Sequence, residues 1–564
     1  MLLTTMRMDS RTNNSSGHST RRQILAAMGG AGAVSLAGCT GGGDDDGDTA
    51  GDDDASGSDN EITVAVGANP DTLDLAQSND APSNAVYGHL VYQTLVANDY
   101  DLSFAPQLAT DWEVADDEVT WTLQLREGVE FHNGDEFTAD DVVFSVERFR
   151  GTVNDDIVNS IAEVNVVDDF TVEIVTDSPQ AQFLTDMSSL YIYPEGAEGL
   201  STTVAEDDFN FEGGSVGTGP FELDTFASED RIVLSRYDNY WAEEENPWQT
   251  ATFQVVTENV SQEEAIQNGE VDVIDSPRAF QLSQWNDDEI VDIEAVGFDL
   301  IGFPTAASPF TNQKLRRGMA RLVNRDDVIE AIYSGRGTPL AGPISPGLTA
   351  FYDQDFTDRM HEEFVGFNVE RGNQLIQEAL EEEGVEPPIN IEVRTNVNEE
   401  RELWMQEVTQ TWDETESINA ELNVIDFPSL VDFITAEDGL AQSSDIVIGI
   451  GWTGGSDPNG HIEDLYATEN QVPEGNNWSL YSNEEVDSLI AEGQETIDTD
   501  ARVEVYRELQ EILIEESPHA WLWTTDRIHV VDPESIEGWS PHPNSSLRFD
   551  GIFAPERDSI TQPL

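Results

Sequence analysis

An α/β fold built on more than one hydrophobic core is what this sequence predicts, and three observations predict it. Strand-like alternation recurs, as in Ile62-Thr63-Val64-Ala65-Val66 and in Trp121, Leu123 and Leu125 spaced by Thr122 and Gln124. Helical signals are mixed in with it: Thr138-Ala139-Asp140-Asp141 reads as a capping box ahead of Val142, Val143, Val146 and Phe149 on one face. From Glu61 onward about 500 residues remain, too many for a single core, so two or three domains are expected.

Taken in order, the first segment reads as an address rather than a fold. Arg21 and Arg22 form a positive region, Ile24 to Leu36 is apolar, and Leu36-Ala37-Gly38-Cys39 closes it. That is the order of an export signal over 1–38. The paired arginines resemble a twin-arginine signal, and the last four residues resemble a lipobox with Cys39 as the lipid acceptor. The apolar stretch falls short of the about 20 residues that cross a bilayer, and no other segment is long and apolar enough. Cys39 is the only cysteine, which excludes a disulfide within the chain. Residues 39–60 then form an acidic Gly/Asp-rich linker with too little apolar content to bury a core. The remainder is expected at the extracellular face of the cell membrane, anchored but not spanning.

Beyond the linker, helices are expected near 313–323, 326–333, 369–382, 483–493 and 500–516, with Gly384 as the stop of the third. Ile389-Asn390-Ile391-Glu392-Val393 reads as a strand ending at Arg394. Asp445 to Ile450 is a short apolar run that reads as a buried strand opening into a loop at Gly451-Trp452.

Composition excludes several functions. The net charge is -88, from 113 acidic and 25 basic residues, with Lys314 the only lysine. Such a charge destabilises a compact chain by self-repulsion. At about 1 M salt the Debye length falls to roughly 3 Å and screens it, so the acidic surface is similar to that of proteins from salt-loving organisms. Nucleic acid is disfavoured as a partner because phosphate binding needs clustered cations. A P-loop is excluded by the absence of its lysine. Gly213-Gly214-Ser215-Val216-Gly217 matches G-x-S-x-G, but Pro220 and a strand follow where a nucleophile elbow needs a helix. His132 lies in a turn and reads as structural; His461 follows the Trp452 loop and is a candidate to face a ligand or a metal. No metal-binding spacing and no cofactor motif is present.

Several blocks together resemble a known family. Leu125-Arg126-Glu127-Gly128-Val129-Glu130-Phe131-His132-Asn133-Gly134 leads into Phe137-Thr138-Ala139-Asp140-Asp141-Val142-Val143-Phe144-Ser145. Val216 to Phe221, Tyr237 to Trp241, Asn268 to Asp272, Lys314 to Asp326 and Tyr481 to Asp487 follow in register. The run resembles the peptide/nickel class (family 5) of solute-binding proteins of ABC transporters, in a form similar to a haloarchaeal lipoprotein. The resemblance implies a two-lobed periplasmic-binding-protein fold of class II, cluster C type. Lobe I would be 61–305 plus 531–564 with a subdomain inserted at about 92–190, and lobe II 306–530. It implies a monomer without enzymatic activity that delivers a solute to permease and ATPase subunits. A di- or oligopeptide is the first expectation for the solute; an oligosaccharide or nickel complex is the alternative. From another class, a secreted hydrolase or a surface sensor stays open.

The same resemblance implies a site. Peptide-binding members carry an aspartate, pairing with the peptide amino terminus, in a Gly-Trp-Thr-Gly-Asp string. Here the string is Gly451-Trp452-Thr453-Gly454-Gly455-Ser456-Asp457, which puts Gly455 at that position and Asp457 two residues later. Trp452, Thr453, Gly454, Gly455 and Asp457 are therefore expected around the ligand. Trp452 would be an aromatic wall, with core packing as its plainer reading. Arg394 would hold a ligand carboxylate, against a surface salt bridge, and Asn79 would contribute from lobe I.

Overall fold

The computed structural model describes residues 60–543, except 71, 79–80, 243–247, 276, 437–438, 454, 537–538 and 540. The export signal, Cys39, the linker, Asn79, Gly454 and residues 544–564 lie outside the described residues.

In lobe I, strand Glu61–Val66 runs parallel to Thr250–Val255 and to Val273–Ile274. Two antiparallel strands, Arg231–Arg236 and Phe221–Ala227, continue the sheet outward. The alternation at 62–66 suggested one buried face. Ile62, Val64 and Val66 do enter the main core, but Ala65 is buried as well, in a smaller cluster with Ile274 and Val530. The strand is central, so both of its faces are covered.

The insertion is a four-stranded antiparallel sheet in the order Ala109–Val114, Thr120–Leu125, Thr171–Thr176, Ile161–Asp168. Trp121, Leu123 and Leu125 point into the core, as their spacing predicts. Helix Ala139–Phe149 packs against this sheet. Its capping box is formed: the Thr138 amide donates to the Asp141 carboxylate at 2.7 Å.

Lobe II holds the other half of the same 12-stranded sheet, in the order Ile418–Ile425, Ile389–Asn396, Ile446–Trp452, Phe298–Gly302, His519–Val531, with Gly337–Pro339 also paired to the last strand. The first three strands are mutually parallel and the last two antiparallel. Separate apolar clusters cover its two faces. Helix Val369–Glu383 ends at Gly384, whose φ of 68° is the left-handed conformation that glycine adopts without a Cβ penalty.

One strand belongs to both lobes. His519–Val531 pairs with Phe298–Gly302 through residues 519–523 and with Ile290–Glu294 through residues 526–530, then meets Val273–Ile274. Its ends are buried, while Thr525 to Ile528 are only half-buried. Two antiparallel crossing segments therefore join the lobes at a waist lying between their cores. Strand Phe298–Gly302 already pairs in the lobe II sheet, ahead of the expected boundary at 305.

Candidate functional site

Strand Ile446–Trp452 lies inside the lobe II sheet, parallel to Ile389–Asn396 and antiparallel to Phe298–Gly302. Its residues 447–450 are buried and its end, Gly451-Trp452, is half-buried. Two glycines allow this placement: a Cβ at Gly449 would collide with the Met405 sulfur, and one at Gly451 would lie 2.5 Å from the Arg401 guanidinium. The chain then turns through Thr453 and Gly455 into helix Pro458–Tyr466. Loops at the carboxyl ends of parallel strands are where open α/β sheets bind ligands.

A cavity of about 450 Å³ opens there, a size ordinary for a small-molecule site. One wall is helix Phe427–Thr435, through Phe427, Val431, Ile434 and Thr435. Ile450 to Thr453 and Gly455 form the floor, and Gly460, His461, Asp464, Asn476 and Trp478 the far side. Phe427 keeps 54% of its surface exposed, unusual for so large an apolar residue. His461 is buried, with Nε2 at 2.9 Å from the Pro343 carbonyl, so Nε2 carries the proton. Burial lowers its pKa to about 4 and keeps the ring neutral. Burial raises the Asp464 carboxyl above its ordinary range; a hydrogen bond with the Asn476 side chain offsets this in part, and Asp156 on lobe I adds to it.

The expected site residues divide. Trp452, Thr453 and Gly455 line the cavity. Gly455 is exposed, and a Cβ there would meet nothing within 4 Å. Asp457 is buried beneath the loop: it caps helix Pro458–Tyr466 through the Asn459 amide and takes two hydrogen bonds from Arg502, at 2.7 and 3.0 Å. Arg394 is held by Glu392 at 2.6 Å and stacks over Phe433, on helix Phe427–Thr435 but outside the cavity wall. Phe427, Val431, Asp464, Asn476 and Trp478 were not anticipated. Phe427 directly before Pro428 was the available signal, because the proline opens a helix and leaves the preceding aromatic at its mouth.

A Ser–His contact does form. Ser215 Oγ lies 2.9 Å from His132 Nδ1, and His132 Nε2 lies 3.0 Å from the Gly219 carbonyl. The carbonyl can only accept, so Nε2 holds the proton and the serine hydroxyl donates to Nδ1. The Leu223 amide in turn donates to Ser215 Oγ. Among the described residues no carboxylate orients the ring, and burial lowers the histidine pKa to about 4, which weakens it as a base. The pair fastens the turn at Gly217 and Gly219, where a Cβ would collide with the Val91 and Leu90 carbonyls.

Comparison with known proteins fits this geometry. The model of the bacterial extracellular solute-binding proteins, family 5, matches residues 103–472. The glutathione-binding protein GsiB of Salmonella paratyphi A is 26% identical over 503 residues, covering 87% of this chain and 94% of the relative. GsiB of Escherichia coli K12 is 24% identical with the same coverage. Among solved structures, the substrate-binding protein CtaP of Listeria monocytogenes superposes with a TM-score of 0.73 at 20% identity, over 86% of this chain and 97% of that one. The oligopeptide-binding protein AppA of Bacillus subtilis, in complex with a nonapeptide, gives 0.70 at 21% identity, over 87% and 98%. The chain belongs to the extracellular solute-binding proteins of family 5, which capture a solute for an ABC importer and catalyse no reaction themselves.

Proposed function

We propose that the solute is a peptide, enclosed when the two lobes close over the cavity beside Trp452. The cavity is the observation that carries this reading: it combines aromatic and aliphatic walls with a few polar groups, as a site for a chain of amides and mixed side chains requires. AppA with its nonapeptide and the Helicobacter pylori protein DppA with the peptide STSA support the same class. Closure would bend the two crossing segments, so the lobes divide between Glu294 and Phe298 and near Thr525, with the insertion at about 92–190 as part of lobe I. Trp452, Thr453, Gly454 and Gly455 would meet the solute, with Asn79 opposite. Arg394 and Asp457 would serve it indirectly, by fixing helix Phe427–Thr435 and the loop. The receptor acts as a monomer, lipid-anchored through Cys39 at the extracellular face after twin-arginine export, and its acidic surface suits molar salt.

Unfolding freshly purified protein and identifying the released small molecule by mass spectrometry tests the cargo. Released peptides are the expected result; a sugar or a metal complex would sink the peptide reading.

A further inference from the structure

The cavity beside Trp452 carries one formal charge. Among its described lining residues only Asp464 and His461 carry ionisable side chains, and His461 is held neutral. The two neighbouring arginines are already engaged, Arg394 by Glu392 and Arg502 by Asp457. Among the described residues no cation forms an ion pair with Asp464; the Asn476 side chain bonds to it and the like charge of Asp156 from the other lobe acts on it. A carboxylate half-removed from water, with no cation beside it, is unfavourable alone and becomes favourable once a positive group arrives. The half-buried Trp452 ring and the exposed Phe427 ring offer π faces to the same group.

We propose that Asp464 is the counter-ion for a cationic nitrogen of the solute, so that the receptor selects cargo whose enclosed end carries an ammonium or guanidinium group. This rests on the solute being held beside Trp452. The cation has two possible sources in a peptide, the free amino terminus or a basic side chain, and the loop itself contributes no carboxylate at Gly455.

The test compares the wild-type chain with Asp464→Asn by calorimetry. Four probes separate the arms: trialanine, N-acetyl-trialanine amide, the same acetylated amide with a central lysine, and agmatine. Wild type should bind at least one cationic peptide about tenfold more tightly than the uncharged one, and Asp464→Asn should bring the two to parity. Loss on trialanine identifies the amino terminus; loss on the lysine probe identifies the side chain. The unliganded variant should melt no lower than wild type, because burial disfavours the charge it removes. Peptides bound equally by both proteins overturn the proposal and leave the peptide reading standing. Agmatine bound only through Asp464, with no peptide bound, upholds the counter-ion and overturns the peptide reading. If none of the four probes binds, both fall.

Discussion

The resemblance to peptide binders implies an aspartate at Gly455, and the space around this glycine is open. A Cβ there touches nothing within 4 Å, so a carboxylate can be added without displacing a neighbour. Hydrogen bonds to charged groups contribute about 1.5–3 kcal/mol. Gly455→Asp is therefore expected to tighten binding of peptides with free amino termini by about tenfold or more, and to leave acetylated peptides unchanged. Titration calorimetry with the two peptide types decides it; equal affinities before and after the change would mean that the loop does not meet the amino terminus. Asp457 differs in kind. Both of its oxygens are taken by Arg502, which also donates to the Gly493 carbonyl and the Tyr506 hydroxyl, so its charge is spent on holding helices together. The sequence shows a carboxylate two residues from the expected place. It does not show that an arginine 45 residues downstream claims it.

At the scale of elements, the crossing strands carry a cluster of like charge. Asp526 lies among Asp292 and Glu294, opposed by Arg336, which pairs with Asp292 at 2.5 Å. Burial, then the two carboxylates, raise the Asp526 pKa from 3.8 to about 6. A carboxyl group whose pKa is raised by folding costs stability where it is ionised, above about pH 6, and that cost vanishes as the pH falls toward the unfolded value near 4. Asp526→Asn should raise the melting temperature near pH 7.5 and leave it almost unchanged near pH 4, with a smaller gain in about 1 M salt. Equal shifts at the two pH values would remove the electrostatic explanation.

Elements with one buried face were legible before any coordinates. Thr120–Leu125 alternates because only one side meets the core, and Val369–Glu383 is bounded by Asn368 and Gly384, whose chemistry forces both ends. Glu399–Asp413 escaped notice although Trp404, Val408 and Trp412 recur at helical spacing. Its buried Thr409 answers its own helix by donating to the Met405 carbonyl at 2.6 Å, so a polar residue interrupts the stripe. Phe427–Thr435 went unread although Phe427, Leu430, Val431 and Ile434 recur at the i, i+3, i+4, i+7 spacing of one helix face; Leu430 meets the core, Phe427 and Val431 the cavity, and Ile434 both. Trp452 was singled out by the resemblance of its Gly-Trp-Thr-Gly string, and it lines the cavity. Asp464 and Trp478 reach the same cavity only through the order of strands in the sheet, and local spacing does not encode that order.

Across the whole molecule, position and capture are separate functions of one chain. If Cys39 carries the anchor, Cys39→Ser should release the receptor into the medium with its ligand affinity unchanged, read by fractionation and by calorimetry on the released protein. Retention in the membrane fraction would refute the anchor. Loss of affinity would mean that the tether takes part in binding. Lobe and insertion still touch away from the waist: the Ala181 amide donates to the Gln494 carbonyl at 2.9 Å, and Asn459 Nδ2 lies 3.5 Å from Gln182 Oε1. These contacts link the insertion to the two helices Pro458–Tyr466 and Glu484–Glu495.

The strand His519–Val531 has a consequence for how the protein is made. It is the last described strand in chain order, and it pairs with Phe298–Gly302 and Gly337–Pro339 in lobe II and with Val273–Ile274 and Ile290–Glu294 in lobe I. Until it arrives, each half exposes an unpaired edge, and neither can finish folding as an independent unit. A chain cut just before residue 519 would lack the strand that both halves pair with.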